Sequence, residues 1–490
     1  MHSTEETDYT HRGPSQTEKG AHIHDEFERR PVEPGALLGF KSFIGMYAGE
    51  HCAGTELMIG PLFVAAGVSA HDLILGLLAG NALAVLSWML FCAPIATRVR
   101  LTLYYQAEKI CGRSLVTIYN LANGVMFTIL AGAMITVSAT ALGVWFGFKM
   151  PGLNDLLPNS FGWVLAVLAI GALFSCVAAF GYKVMSHFAN IAAPWMIVVF
   201  MAFGIVGFKQ FAEATGTELN SAADLWEMCK TSIWKGGVPL KGQTKFTFMH
   251  VMFFAWFCNM AWHIGMSDMS IFRYAKKSWY SLASAAGMYV GHFMAWISAS
   301  VLYAYQLHLD STDINVLPGP MTYRALGLTG LLCVIVAGWT TANPTIYRAG
   351  LAFQGIMPKR SRFAVTLGTG VVATIAGLFP AAAMKLLGFV ALWGMVLMPM
   401  GAIIFIDFWL MKRIGLEDNF AEKRKIRFNI AAGLAWLTSC LICSWLVLTG
   451  RMQIFFVSLP GWFFTATLYI LLSFIYQKML KPSDHKVQKA

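Results

Sequence analysis

The stretch "GEHCAGTE", residues 49–56, places Glu50, His51 and Glu56 in the middle of an apolar run. Upstream lies "PGALLGFKSFIGMYA" (34–48) and downstream "LMIGPLFVAAGVSA" (57–70), together long enough to cross a bilayer. One unpaired charge at the bilayer centre costs on the order of 2.5–3.5 kcal/mol on insertion scales. Three ionisable residues within seven positions must therefore face a polar cavity or each other. Two readings follow: a mid-membrane binding site in which one group carries a proton, or a self-neutralising polar knot between packed helices.

The surrounding chain is a membrane chain. Its 490 residues are 57% hydrophobic and only 12% charged, about half the charged fraction of a soluble protein. Twelve apolar runs are each long enough to cross: 37–68, 72–95, 115–147, 161–181, 187–208, 246–272, 281–307, 326–353, 363–383, 386–411, 430–449 and 454–479. Helices satisfy their own backbone polar groups in lipid, so the expected fold is an all-α polytopic membrane protein with 12 transmembrane helices. Residues 1–36 are polar and His-rich and have no apolar signal region. They read as a disordered cytoplasmic tail, with "HIH" at 22–24 solvated. The nine cysteines are scattered, mostly within apolar runs, and read as packing residues.

The net charge of +11 has a simple origin. With the N-terminus inside, 26 of the 36 Lys and Arg residues fall on cytoplasmic segments, and nine fall outside, five of them in the loop 209–245. This is the positive-inside pattern. It places both termini in the cytoplasm of a multi-pass plasma (inner) membrane protein, in contact with the lipid bilayer and without nucleic acid. The loop 209–245 carries "NSAADLWEMCKTSIWKGG", read as a short surface helix, and 308–325 reads as an outer loop.

Run six contains "AWHIGMSDMSIFRYAKK" (261–277). In runs one and six a His precedes a carboxylate by five residues, with a hydroxyl residue just before it: His51…Thr55-Glu56 and His263…Ser267-Asp268. Runs one and six open two five-helix halves, and an odd helix count per half turns the second upside down. That is the inverted-repeat plan of many secondary transporters, whose first helices break to expose backbone groups to solute and ions. The division is 1–36 tail, 37–208 first repeat, 209–245 outer loop, 246–411 second repeat, 412–429 cytoplasmic loop, 430–479 two further helices and 480–490 a second cytoplasmic tail.

Three motifs resemble the nucleobase–cation-symport-1 family of purine-cytosine permeases and allantoin or hydantoin transporters: "DMSIFRYAKK" (268–277), "AGWTTANPTIYRAGLAF" (337–353) and "PLFVAAGVSAHDLILGLLAGN" (61–81). The resemblance implies a LeuT-type 5+5 inverted repeat plus two C-terminal helices. It also implies symport of a small nitrogenous ring with Na⁺ or H⁺, and no other cofactor. In sodium-coupled members helix-one carbonyls and helix-eight oxygens hold the ion, which maps to Ala337, Thr340 and Thr341. Alternatively the two hydroxyls bond back to their own helix. The family's ring-stacking aromatics fall at Asn259 and near Val125 or Met126, leaving Phe127, Trp256 or Trp262 for that role. Two carboxylates in run one suit a ligand rich in N–H donors, such as a ureide, or a cation.

The expected mechanism is alternating access, with helices 1, 2, 6 and 7 rocking against the rest. Glu50, Thr55, Glu56, Asn123, Phe127, Asn259, Trp262, His263 and Asn343 are the expected substrate residues. His51 joins Ala337, Thr340 and Thr341 in ion coupling. Asp268 is expected to pair with Arg273 in an inner gate. Arg348 either snorkels to the interface or pairs with a site carboxylate, and His292 reads as a packed, hydrogen-bonded histidine. A membrane-embedded enzyme, a metal- or haem-binding protein and an ion channel are the competing classes. HExxH, a phosphate loop and a Walker motif are missing from the sequence. The small-molecule substrate's identity and the oligomeric state are left open.

Overall fold

The computed structural model describes residues 26–152, 155–381 and 386–480, and their regular structure is helical. The first apolar run folds as two helices, α1 (Lys41–His51) and α2 (Glu56–Ala65). The break falls on the quoted stretch: Cys52 leaves helical geometry at φ −90, ψ 54. Helix α3 (Ala70–Val99) follows, then the short α4 (Leu103–Cys111) and the long α5 (Arg113–Phe146). Helices α6 (Phe161–Ala179) and α7 (Tyr182–Thr215) complete the first half. Ser69, Thr102 and Ser160 accept the N–H three residues on and so fix the starts of α3, α4 and α6.

The second half begins with an interrupted run of the same kind. It comprises α8 (Phe248–Phe257), a single turn α9 (Met260–His263) and a further turn α10 (Met269–Phe272). Asn259 sits between the first two at φ −108, ψ 25, and Met266 takes φ 68 before the third. Next come α11 (Ser278–Leu309), α12 (Pro318–Ile356), α13 (Arg362–Gly377) and α14 (Leu386–Trp409), then α15 (Ile430–Leu448) and α16 (Ile454–Leu480). Helix α12 turns sharply at Leu326 and Gly327, which set its first residues apart from the rest of the helix. The expected outer loop 308–325 is therefore helical from Pro318.

Eight of the twelve expected crossings are helices long and apolar enough to span a membrane. The other four runs hold shorter apolar helices: the broken first and sixth runs, α13, and Gly394–Trp409 of α14. Residues 382–385, between the last two, lie outside the described residues.

The helices sort into two groups. In one, α2 packs on α11, and α3 packs on α8 and α11. In the other, α5 packs along α12, and α13 packs on α5, α6 and α12. Small residues allow the close approaches. A Cβ on Gly60 of α2 would lie 2.6 Å from the carbonyl oxygen of Trp296, and Ser300 Oγ donates to the Gly60 carbonyl at 2.5 Å. Helix α1 lies between the groups, against α7, α11 and α12.

Residues 26–36 correct the expected tail, because they are seated on the helix ends. Glu26 accepts the Tyr182 N–H at 2.7 Å, one of the unpaired donors that start α7. Arg273 donates to the Phe27 carbonyl at 2.7 Å, Tyr274 Oη to the Glu26 carbonyl at 2.9 Å, and the Val32 N–H to the Arg100 carbonyl at 3.1 Å. Residues 1–25, with the "HIH" motif, lie outside the described residues.

Candidate functional site

Glu50 and His51 end α1, and Thr55 and Glu56 begin α2, so the helix break brings all four to one cavity. The cavity has a volume of about 70 Å³, room for a few waters. Asn259, Trp262 and Thr341 also line it, as does His292 of α11. Leu130, Met134, Phe254, Phe257 and Phe455 give it apolar walls.

A buried ion cluster closes one side. Arg348 of α12 is 0% exposed. Its Nη1 donates to Glu50 Oε1 at 2.5 Å, and its Nη2 donates to Asp268 Oδ1 at 2.7 Å and to Glu50 Oε2 at 3.3 Å. Trp262 Nε1 donates to Glu50 at 3.1 Å. Tyr47 Oη and Trp88 Nε1 donate to Asp268 Oδ2 at 2.6 and 2.7 Å. One guanidinium thus joins α1, α12 and the segment between α9 and α10. Buried charges persist when they are paired and their remaining lone pairs accept hydrogen bonds, and both conditions are met. This corrects the expected Asp268–Arg273 pair. Arg273 spends its donors on the Ser270 and Phe27 carbonyls and on the hydroxyls of Tyr274 and Tyr347. Of the two readings of Arg348, the structure has the pairing one.

Glu56 has different company. Its Oε2 accepts the indole N–H of Trp296, and His292 Nε2 stands 3.5 Å from its Oε1. The His292 ring stacks on Trp296 at 4.3 Å and meets the His51 ring edge-on at 4.6 Å. His51 Nδ1 lies 2.7 Å from the Tyr47 carbonyl, an acceptor, so that nitrogen carries a hydrogen.

Five oxygens gather where α1 meets α12. Thr340 Oγ1 lies 2.8 Å from the Gly49 carbonyl and 3.1 Å from that of Ala337. Thr341 Oγ1 lies 3.1 Å from the Glu50 carbonyl and 3.0 Å from that of Ala337. Each hydroxyl has one hydrogen but touches two carbonyl oxygens, so one contact at each is oxygen against oxygen. Such a set of hard, uncharged oxygens from two helices fits a small hard cation. Among the described residues no group of three or more His, Cys, Asp or Glu is arranged to hold a metal ion.

The remaining expected residues are close by but do not line the cavity. Phe127 packs edge-on against Trp262 at 5.6 Å. Asn123 donates to Tyr104 Oη at 3.3 Å, which donates to the Arg348 carbonyl at 3.0 Å, so this pair braces the arginine's backbone. His263 turns away, its Nε2 3.0 Å from the Trp256 carbonyl and its ring 4.7 Å from Trp88. Asn343 is 1% exposed and neither amide atom has a hydrogen-bond partner. Trp296 has no signal in the sequence, because its partner Glu56 is 240 residues away.

No protein-family model matches the sequence, and no curated protein matches it. Solved structures do. Mhp1, a nucleobase-cation-symport-1 family transporter in a closed conformation with bromovinylhydantoin bound, matches with a TM-score of 0.68 at 15% identity, over 93% of this chain and 96% of that one. The inward facing conformation of Mhp1 matches at 0.64 and 15% identity over the same shares. A substrate-bound, outward-open Na⁺-coupled sialic acid symporter matches at 0.65 and 14% identity, over 94% of each chain. The fold expected from the three motifs, a LeuT-type helical membrane fold, is therefore the fold of this chain, which it shares with a nucleobase-cation-symport-1 transporter and a sialic acid symporter.

Proposed function

We propose that the chain is a cation-coupled symporter that carries a small nitrogenous compound across the membrane by alternating access. The observation that carries the reading is the coincidence of two broken helices with one buried polar cavity. Breaks at Cys52 and Asn259 are costly in lipid unless they serve a site. The similarity in fold to transporters in closed, inward-facing and outward-open states adds support. Substrate binds in the cavity against Thr55, Glu56, Asn259 and Trp262, with Phe127 supporting Trp262. A Na⁺ ion fits the oxygens of Gly49, Glu50, Ala337, Thr340 and Thr341; H⁺ is the alternative coupling ion, carried at the cavity's carboxyl and imidazole groups. The group holding α2, α3, α8 and α11 rocks against the group holding α5, α6, α12 and α13. Both termini lie in the cytoplasm of a plasma (inner) membrane, from the charge of the loops.

The test is uptake into proteoliposomes under an imposed Na⁺ or H⁺ gradient, with uracil, hydantoin, allantoin and small amines as candidates. Saturable uptake that follows one gradient supports the reading. Conductance without saturation would replace it with a channel.

A further inference from the structure

Three carboxyl groups face the centre of the molecule, and one guanidinium serves two of them. Both Nη atoms of Arg348 are engaged by Glu50 and Asp268. Among the described residues Glu56 has no Lys or Arg partner: it meets an indole N–H and an imidazole. A carboxyl group buried in the membrane with no cation beside it takes a proton or takes a cation.

The hydrogen-bonding balance of the cavity points the same way. The indole N–H groups of Trp262 and Trp296 are already spent on Glu50 and Glu56. Asn259 Nδ2, Ser458 Oγ and His292 Nδ1 are unpartnered polar atoms of the lining, and Asn259 is only 7% exposed. Among the described residues the lining holds two carboxyl groups and no Lys or Arg, which disfavours an anionic ligand. The walls include Phe254, Phe257, Trp262 and Phe455, and aromatic walls beside a carboxylate suit an organic cation.

Resting on the symporter reading above, we propose that the transported compound is a small organic cation of the amidine, guanidine or amine class. Its positive group meets Glu56, with Asn259 free to accept or donate at its far end. Glu56 is then a specificity-determining residue, and Glu50 is part of the scaffold.

Charge isosteres test this on the intact wild-type protein. Methylguanidinium, methylurea and acetate are similarly small and planar but carry +1, 0 and −1. Binding to the detergent-purified full chain is read as thermal stabilisation at fixed Na⁺. The expected result is stabilisation by methylguanidinium, none by acetate, and a roughly 30-fold or greater loss of methylguanidinium affinity in Glu56→Gln. Trp296→Phe, which frees Glu56 of its indole donor, keeps methylguanidinium binding. Methylurea binding as tightly as methylguanidinium overturns the proposal. So does binding of uracil or hydantoin that Glu56→Gln leaves unchanged, although that outcome keeps the symporter reading. If no compound binds and none is taken up into proteoliposomes, both fall.

Discussion

Arg348 Nη1 lies 2.5 Å from Glu50 Oε1, so residues 298 apart in sequence hold the end of α1 against α12. The same guanidinium reaches Asp268. The two interrupted runs are thus tied to one rigid helix through a single cation. Removing that cation strands two buried carboxylates. Arg348→Gln is expected to cost about 3–5 kcal/mol, seen as a large fall in melting temperature and a loss of monodisperse protein. Adding Glu50→Gln and Asp268→Asn to it removes the stranded charges and restores most of the loss. If the triple variant is no better than the single one, the triad is not the source of the effect.

Thr340 and Thr341 join α1 to α12 about two helical turns before the arginine. Each hydroxyl replaced by a methyl loses a hydrogen bond to α1, worth about 1 kcal/mol. The same change removes a cation ligand. Thr341→Val is expected to abolish any Na⁺-dependent rise in melting temperature, whereas Thr341→Ser, which keeps the oxygen, retains it. A Na⁺-dependent rise that survives in both Thr340→Val and Thr341→Val would place the ion elsewhere.

Much of this arrangement was legible in the sequence. The break at 49–56 could be read because ionisable residues and glycines interrupt an apolar run, and eight of the crossings could be read from their length. Pairing was harder. Asp268 and Arg273 are close in sequence on one short segment, which suggested a local ion pair. The fold instead brings Arg348 in from a different helix, while Arg273 is drawn to the carbonyls of the N-terminal segment. Trp296 and His292 sit in an apolar run whose pattern reads as packing. Their polar atoms meet Glu56 only once α2 is laid on α11. Residues 26–36 look like tail by composition. What orders them is the unpaired groups at helix ends, which no local pattern announces.

The seat of α2 on α11 depends on Gly60. A Cβ there would stand 2.6 Å from the Trp296 carbonyl oxygen and 3.0 Å from the Ser300 nitrogen, both backbone atoms. Gly60→Ala is expected to destabilise by about 1–3 kcal/mol through overpacking. At Gly368 a Cβ meets nothing within 4 Å, and Gly368→Ala is expected to be neutral or slightly stabilising. Melting of the two variants in parallel checks the contrast.

Asp418, in the loop between α14 and α15, gives a pH signature away from the cavity. Partial burial acts to raise its pKa, but hydrogen bonds and charge from Lys423 and Lys412 outweigh it and hold the carboxyl below its usual 3.8. A depressed folded-state pKa contributes stability that is fully present above the unfolded value and is lost as pH falls through the folded one. Wild type and Asp418→Asn are therefore expected to differ in melting temperature at pH 7. The two curves converge below about pH 4, the reference range for Asp. Parallel curves down to pH 3 would refute the assignment.

The N-terminal segment makes the last prediction. Glu26 accepts the first N–H of α7 at 2.7 Å and lies 3.9 Å from Arg362 of α13, while the Phe27 carbonyl holds Arg273 beyond α10. One short segment thus ties α7 and α13 to the residue that follows α10, and relative motion of those elements must strain or release it. Glu26→Ala removes a charged acceptor from a helix start, an interaction worth about 0.5–2 kcal/mol. The expected outcome is faster hydrogen exchange across 26–38 and in the first turn of α7, with α15 and α16 unchanged. If exchange in 26–38 is as fast in wild type as in the variant, the segment is not held by Glu26.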